Sequence, residues 1–326
     1  MKSEMHKAFF IGPMTKNVVE SVIDFNKENH NLFGMIPSRR QVECADLGGG
    51  YVNNWNTADF TSFAGSTVIL RDHGGPKQGK DVDDGKESLR HDIELGIKFI
   101  HIDPWKNVST IDDAVTQTIN LMEFCNRLSE DCFFEIGTES AIYKYTPDEL
   151  LYFLTNVYNT SGALFSKVVY CVVQSGTQVL GTSNIGKFNF DESKRMCQIV
   201  KRFGILAKEH NSDYLTNEEI RLRKDAGVDS LNIAPEFGVL ETDVIIDMLK
   251  TAPSLLEDFL NLCYKSGKWK KWVKEEPTRL EIARICGHYV LSTEEFINIK
   301  RSLNKDDFDF VIKKKIKDNL SRLVEV

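Results

Sequence analysis

Eight short apolar segments recur along this 326-residue chain, each parted from the next by a stretch long enough for a helix. They are Lys7–Ile11, Asn31–Ile36, Thr67–Arg71, Ile97–Asp103, Cys132–Ile136, Lys167–Val173, Phe203–Lys208 and Asp229–Ile233. Neighbouring parallel strands need a helical crossover between them, so eight βα units in a row predict an α/β protein, a closed (β/α)8 TIM barrel. The intervening helices carry start signals. Thr146-Pro147-Asp148-Glu149 combines an N-cap, a proline in the first turn and early acids, and Thr216-Asn217-Glu218-Glu219 follows a similar pattern. A barrel of this kind takes about 250 residues. The expectation is a barrel over residues 1–250 and a C-terminal helical cap over 251–326 packed on it. Within the cap, 253–266 and 308–323 read as helical, with Trp269, Trp272 and His288-Tyr289 between them.

In such barrels the chemistry sits where the strands end, and here those ends are polar. Asp72-His73 runs into Gly74-Gly75-Pro76, His101 and Asp103 share one strand face, Glu135 and Glu139 bracket the fifth strand end, and Glu209-His210 closes the seventh. Two histidines and a carboxylate suit a divalent metal with open positions. The candidate ligands are His73, His210 and Glu139, with zinc first and manganese, cobalt or nickel as alternatives. Such an ion polarises a sugar carbonyl, and aldol cleavage and epimerisation both need the resulting enediolate. Asp72 or Glu139 is the candidate proton carrier. His101 reads as a partner of a ligand or a hydrogen-bonded core histidine more than as a ligand, and it stands with Asp103 among the substrate-facing candidates. Gln174, Gly176 and Thr177 after strand six, and Asn232 on strand eight, complete that set, because loops there often hold phosphate. Tyr51 and Trp55, on a glycine-rich loop, stack on a ligand or pack beneath the loop.

Composition narrows the class. A net charge of −7 argues against a nucleic-acid surface. The seven cysteines are odd in number and form no Cys-x-x-Cys pair, so reduced, buried thiols in a cytoplasmic protein are expected. No apolar run reaches the length of a membrane span. From Thr251 onward 15 Lys and Arg face 12 Asp and Glu, with Lys313-Lys314-Lys315-Ile316-Lys317 the densest run. A solvated helix face is the ordinary meaning of such a run, and a docking surface the alternative.

Taken in order, these pieces resemble the family of the non-catalytic subunit of class II D-tagatose-bisphosphate aldolase, related to metal-dependent sugar epimerases. The resemblance lies in Gln41-Val42, Gly49-Gly50-Tyr51, Asp72-His73-x-Gly75-Pro76, Ile100-His101-Ile102-Asp103, Gly137-Thr138-Glu139, Val172-Val173-Gln174-x-Gly176-Thr177, His210-Asn211-Ser212-Asp213-Tyr214 and Gly287-His288-Tyr289. It implies a sugar or sugar-phosphate ligand and adds Gln41 and Asp213 to the substrate-facing set. It also implies a catalytic aldolase subunit or a second copy of the chain as partner. Catalytic class II aldolases hold zinc with three histidines; by that comparison His73 and His210 stand at two ligand positions and Gln174 at the third. Two functions follow: a metal-dependent aldolase or epimerase acting on a ketose or ketose phosphate, or a stabilising subunit without activity of its own. The segment after Glu139, Ser140-Ala141-Ile142-Tyr143, lacks the family's Pro/Gly-rich loop, so a different lid is expected.

Overall fold

The computed structural model describes residues 2–326. Its eight main strands are β1 Phe9–Ile11, β2 Phe33–Met35, β3 Leu70–Gly74, β4 Phe99–Ile102, β5 Phe133–Ile136, β6 Val168–Val172, β7 Leu206–Glu209 and β8 Ser230–Ile233. All pair in parallel, in the order β2-β1-β8-β7-β6-β5-β4-β3. The two ends of that sheet meet through single bridges at Met35–Ile69 and Ser38–Asp72, which bring the barrel round on itself. Helices α1 Lys16–Glu28, α2 Thr57–Ala64, α3 Lys86–Glu94, α4 Ile111–Leu128, α5 Pro147–Ser161, α6 Phe190–Arg202, α7 Asn217–Ala226 and α8 Pro235–Leu249 alternate with the strands.

Each expected strand falls on an observed one, with ends that agree to within three residues. β7 starts at Leu206 rather than Phe203, because α6 runs to Arg202 and the chain then turns through Gly204 at a φ of +69°. β3 runs on through Gly74, and its pairing with β4 slips between Arg71 and Gly74.

Strand alternation separates two cores. Ile100, Ile102, Leu231 and Ile233 face the helices, whereas Phe10, Leu70, Phe99 and Tyr170 fill the barrel interior. The Phe99 and Tyr170 rings stack with centroids 5.9 Å apart, and Phe10 meets both edge-on. This aromatic layer forms a floor beneath the strand C-termini.

Beyond the barrel lie α9 Pro253–Ser266, α10 Arg279–Cys286, α11 Glu294–Leu303 and α12 Phe308–Val324. α12 buries Ile312, Ile316, Leu320 and Leu323 and pins itself to α1 through Lys313–Glu20 and Lys317–Glu28, both at 3.2 Å. Two lysines of the basic run are thus paired within the chain. All seven cysteines are buried and free, and no helix of the described residues is long and apolar enough to cross a membrane.

Candidate metal centre

The slip in β3 explains how two successive residues serve one site. In a regular strand Asp72 and His73 would point to opposite faces. The bulge, with His73 at a φ of +49°, breaks that alternation and turns both side chains to the mouth. His101 arrives from β4 on the same inward face as Phe99. β7 repeats the pattern, with Leu206 in the floor and Lys208 above it, and His210 follows just past the strand end. Asp72, His73, His101 and His210 each place a ligand atom within 4.8 Å of the others.

Each histidine is oriented by an acceptor on its outer nitrogen. His73 Nδ1 lies 2.6 Å from Asp103 Oδ2. His210 Nε2 lies 2.5 Å from Glu135 Oε1. His101 Nε2 lies 3.0 Å from the Gly137 carbonyl oxygen. Carboxylates and carbonyls only accept, so these nitrogens carry the protons. In a neutral ring the lone pairs of His73 Nε2 and His210 Nδ1 are then left for the cluster, and that of His101 Nδ1 faces it as well. Outer acceptors of this kind fix the tautomer and raise the basicity of metal-binding histidines. His101 Nδ1 meanwhile receives a long 3.3 Å contact from the His73 backbone N–H.

The charges call for a cation at this point. Burial pushes the Asp72 carboxyl up, but His73, His101 and His210 override it and hold it well below the usual range. Burial pushes His73 down, and Asp72 and Asp103 override that too, raising it to about 10. His101 is likewise raised against its burial, with Glu135 the foremost cause. Without metal, a second proton on His73 supplies positive charge where a divalent ion would. The donor set of three imidazoles and one carboxylate fits zinc or a neighbouring first-row ion.

Below the cluster, Lys208 and Glu135 are both fully buried, with Nζ and Oε2 2.8 Å apart in an ion pair. Lys208 Nζ also stands 3.7 Å from the centre of the Phe10 ring. Glu135 therefore links Lys208 to His210. In the sequence Lys208 reads as an ordinary strand end. Its spacing of two from both Leu206 and His210 was the available signal.

The other candidates are distributed unevenly. Glu139 stands beside the cluster, with Oε2 3.9 Å from His210 Nδ1 and held by the Asn211 amide. Gln174 is spent elsewhere: its amide N–H groups donate to the Thr138 and Tyr143 carbonyls, and its oxygen accepts from the Tyr145 N–H. It ties down the loop after β5. Asp213 accepts from the Ala234 and Glu236 backbone N–H groups and so caps α8. Gln41 accepts from the Ser38 backbone and hydroxyl. Thr177 donates to the His210 carbonyl at 2.8 Å. Asn232, between the outward Leu231 and Ile233, is buried with its Oδ1 lacking a partner. Tyr51 packs on Tyr289 and Trp55 on Phe63, which favours packing beneath the loop.

Beside Gln174 lies a cavity of about 470 Å³ whose wall includes Lys144, Ser175, Gly176, Thr177 and Lys187. Gly176 has a φ of +93°, and a Cβ there would come within 2.1 Å of the Lys187 carbonyl oxygen. Gly176→Ala is expected to displace this loop and to lower stability by about 1–3 kcal/mol, read from denaturant melts.

No family model matches the chain, and no curated protein matches it either. Solved structures do. A probable tagatose 6 phosphate kinase from Sinorhizobium meliloti 1021 superposes with a TM-score of 0.69 at 16% identity, over 98% of this chain and 88% of that one. Fructuronate-tagaturonate epimerase UxaE from Cohnella laeviribosi gives 0.64 at 12% identity, over 98% and 81%. Fructose-bisphosphate aldolase from Campylobacter jejuni gives 0.59 at 12% identity, over 99% and 91%. The likeness is one of fold.

Proposed function

We propose that the chain is a metal-dependent enzyme of carbohydrate metabolism, an aldolase or epimerase acting on a ketose or ketose phosphate. The observation that carries this reading is the set of three histidines, each with its outer nitrogen bonded to an acceptor, facing one point together with Asp72. The structures of similar fold with sugar epimerase and aldolase names support it.

His73, His101, His210 and Asp72 would hold the ion, zinc first and manganese, cobalt or nickel next. When bound, it supplies Lewis acidity toward a carbonyl oxygen, which cleavage and epimerisation of a ketose both use. Glu139, one-fifth exposed and held by Asn211, would take a proton from a substrate hydroxyl or carbon. Asn232 offers its free oxygen to a substrate hydroxyl. The cavity with Lys144, Lys187 and the Gly176 backbone would take a phosphate-bearing end.

Gln174 at a missing ligand position and the basic C-terminal run are what favour a stabilising subunit. His101 now supplies a third histidine, and Lys313 and Lys317 pair with this chain's own α1. The test is incubation of the purified chain with ketoses and ketose phosphates in D2O, with each metal in turn. Deuterium incorporation or cleavage that is lost in Glu139→Gln is the expected result. No turnover, together with activation of a co-expressed class II aldolase, would move the assignment to the stabilising subunit.

A further inference from the structure

A second polar cavity, of about 490 Å³, lies between the turn after β1, the Asn53–Asn54 loop and helices α11 and α12. None of Asp72, His73, His101 and His210 lines it. His288 does, and it is unusual: 3% exposed, with neither ring nitrogen bonded to any group of the protein. Its ring is wedged between Tyr51 and Tyr289, at 6.0 and 4.1 Å. Gly238 of α8 makes room for it, since a Cβ there would come within 2.8 Å of the ring. A polar group so placed stays unsatisfied unless a ligand or water reaches it.

The charges in this cavity indicate what such a ligand must be. Lys300 pairs with Asp309 at 2.5 Å, Lys313 with Glu20 at 3.2 Å, and Lys16 with Glu20 at 3.7 Å. Glu241, 2% exposed, accepts from the Thr15 hydroxyl and the Asn17 amide rather than from a cation. Burial raises it to about 7. Burial, with Lys271 adding, lowers His288 to about 3, which leaves a neutral ring with one donor and one acceptor. Each lining lysine already has a carboxylate beside it, and the one lining carboxyl without a cation, Glu241, is pushed toward its neutral form by burial, so an anion or cation gains little here. Hydroxyl groups both donate and accept, and they match a neutral imidazole and a carboxyl held by a hydroxyl. Phe296 and Leu291 add apolar wall for a carbon skeleton. The volume suits a molecule of about one sugar unit or somewhat more.

We infer that this cavity is a binding site for a neutral polyhydroxylated molecule, a monosaccharide or polyol, with His288 and the Thr15–Glu241 pair as its polar anchors. The site is separate in its residues from the histidine cluster and does not depend on the reaction assigned there. Xylitol is the probe, since it has no carbonyl for the metal centre, with inorganic phosphate and ethylammonium as charged counterparts. Titration calorimetry and saturation-transfer NMR on the full chain measure binding, and a thermal melt checks each variant's fold. His288→Phe is expected to weaken xylitol at least tenfold. Ile297→Trp, which fills the cavity from a partly exposed wall position without removing a buried polar group, should do the same and serves if His288→Phe fails to fold. His73→Ala should bind xylitol within about twofold of the parent. The inference is overturned if xylitol does not bind, if phosphate or ethylammonium displaces it, or if His73→Ala abolishes binding that the cavity variants retain.

Discussion

His101→Ala should lower divalent-metal affinity at least about 100-fold, whereas Glu139→Gln should change it only a few-fold. The first figure follows from comparison with outer partners of metal ligands, whose loss alone costs about 10–100-fold; removing a ligand costs more. Glu139 reaches His210 only at 3.9 Å and stands outside the four-residue cluster. Titration of dialysed protein with zinc and with cobalt, followed by calorimetry and the cobalt visible spectrum, separates the two. A large loss in Glu139→Gln with His101→Ala near the parent would restore the His73, Glu139, His210 set expected from sequence. Affinity should also tighten as pH rises across the neutral range. His73 without metal holds its second proton up to about 10, and bound metal must displace it, so proton competition weakens as pH increases. The metal-free His101→Ala protein should lose about 1–3 kcal/mol of stability, because the Gly137 carbonyl loses its donor in a fully buried place.

The barrel was legible because its signal is repetitive: each strand candidate is short, apolar and spaced from the next by a helix. The strand-end residues were legible too, since topology alone brings β3, β4 and β7 to one mouth. What the sequence did not disclose was which polar residue does what. Its spacing from Phe99 assigns His101 to the inward face, but only the fold brings its Nε2 to the Gly137 carbonyl and its other nitrogen to the cluster. Asp72 and His73 cannot both face a site in a regular strand, and the bulge that permits it has no sequence mark beyond Gly74-Gly75. Gln174 is a substrate-facing candidate by position and Asp213 by resemblance, and in the fold their side chains bond backbone N–H and carbonyl groups of neighbouring loops. A strand-end amide or carboxylate has the same sequence appearance in both roles. The backbone it meets comes from another part of the chain, so its partner stays hidden until the fold is known.

Lys208→Met should cost about 3–5 kcal/mol of folding stability, the range for removing one partner of a buried ion pair. Lys208 and Glu135 are fully buried, and Lys208 is the cationic side chain held at 2.8 Å from Glu135 Oε2. Burial pushes the Glu135 carboxyl up, while Lys208, then His101 and His210, hold it well below its ordinary value. A carboxylate with a depressed folded pKa contributes stability that is present above its unfolded value of about 4.3 and is lost as pH falls through the folded one. Lys208→Met diminishes that depression, so parent and variant should differ most at neutral pH and converge in acid, as Glu135 takes a proton in the variant first. Glu135→Gln, which strands the ammonium above the Phe10 ring, should be similarly costly. The double variant Lys208→Met with Glu135→Gln should recover most of the loss, since replacing a whole buried pair is often near neutral. Its metal affinity should stay about 10–100-fold weak, because a neutral amide in place of the Glu135 carboxylate no longer accepts as a charged partner of His210 Nε2–H. Denaturant melts at several pH values, paired with zinc titrations, read both effects. A Lys208→Met protein within about 1 kcal/mol of the parent at neutral pH, well short of the cost of breaking a buried pair, would show that Glu135 is stabilised without the ion pair, and the link from Lys208 through Glu135 to His210 would fall.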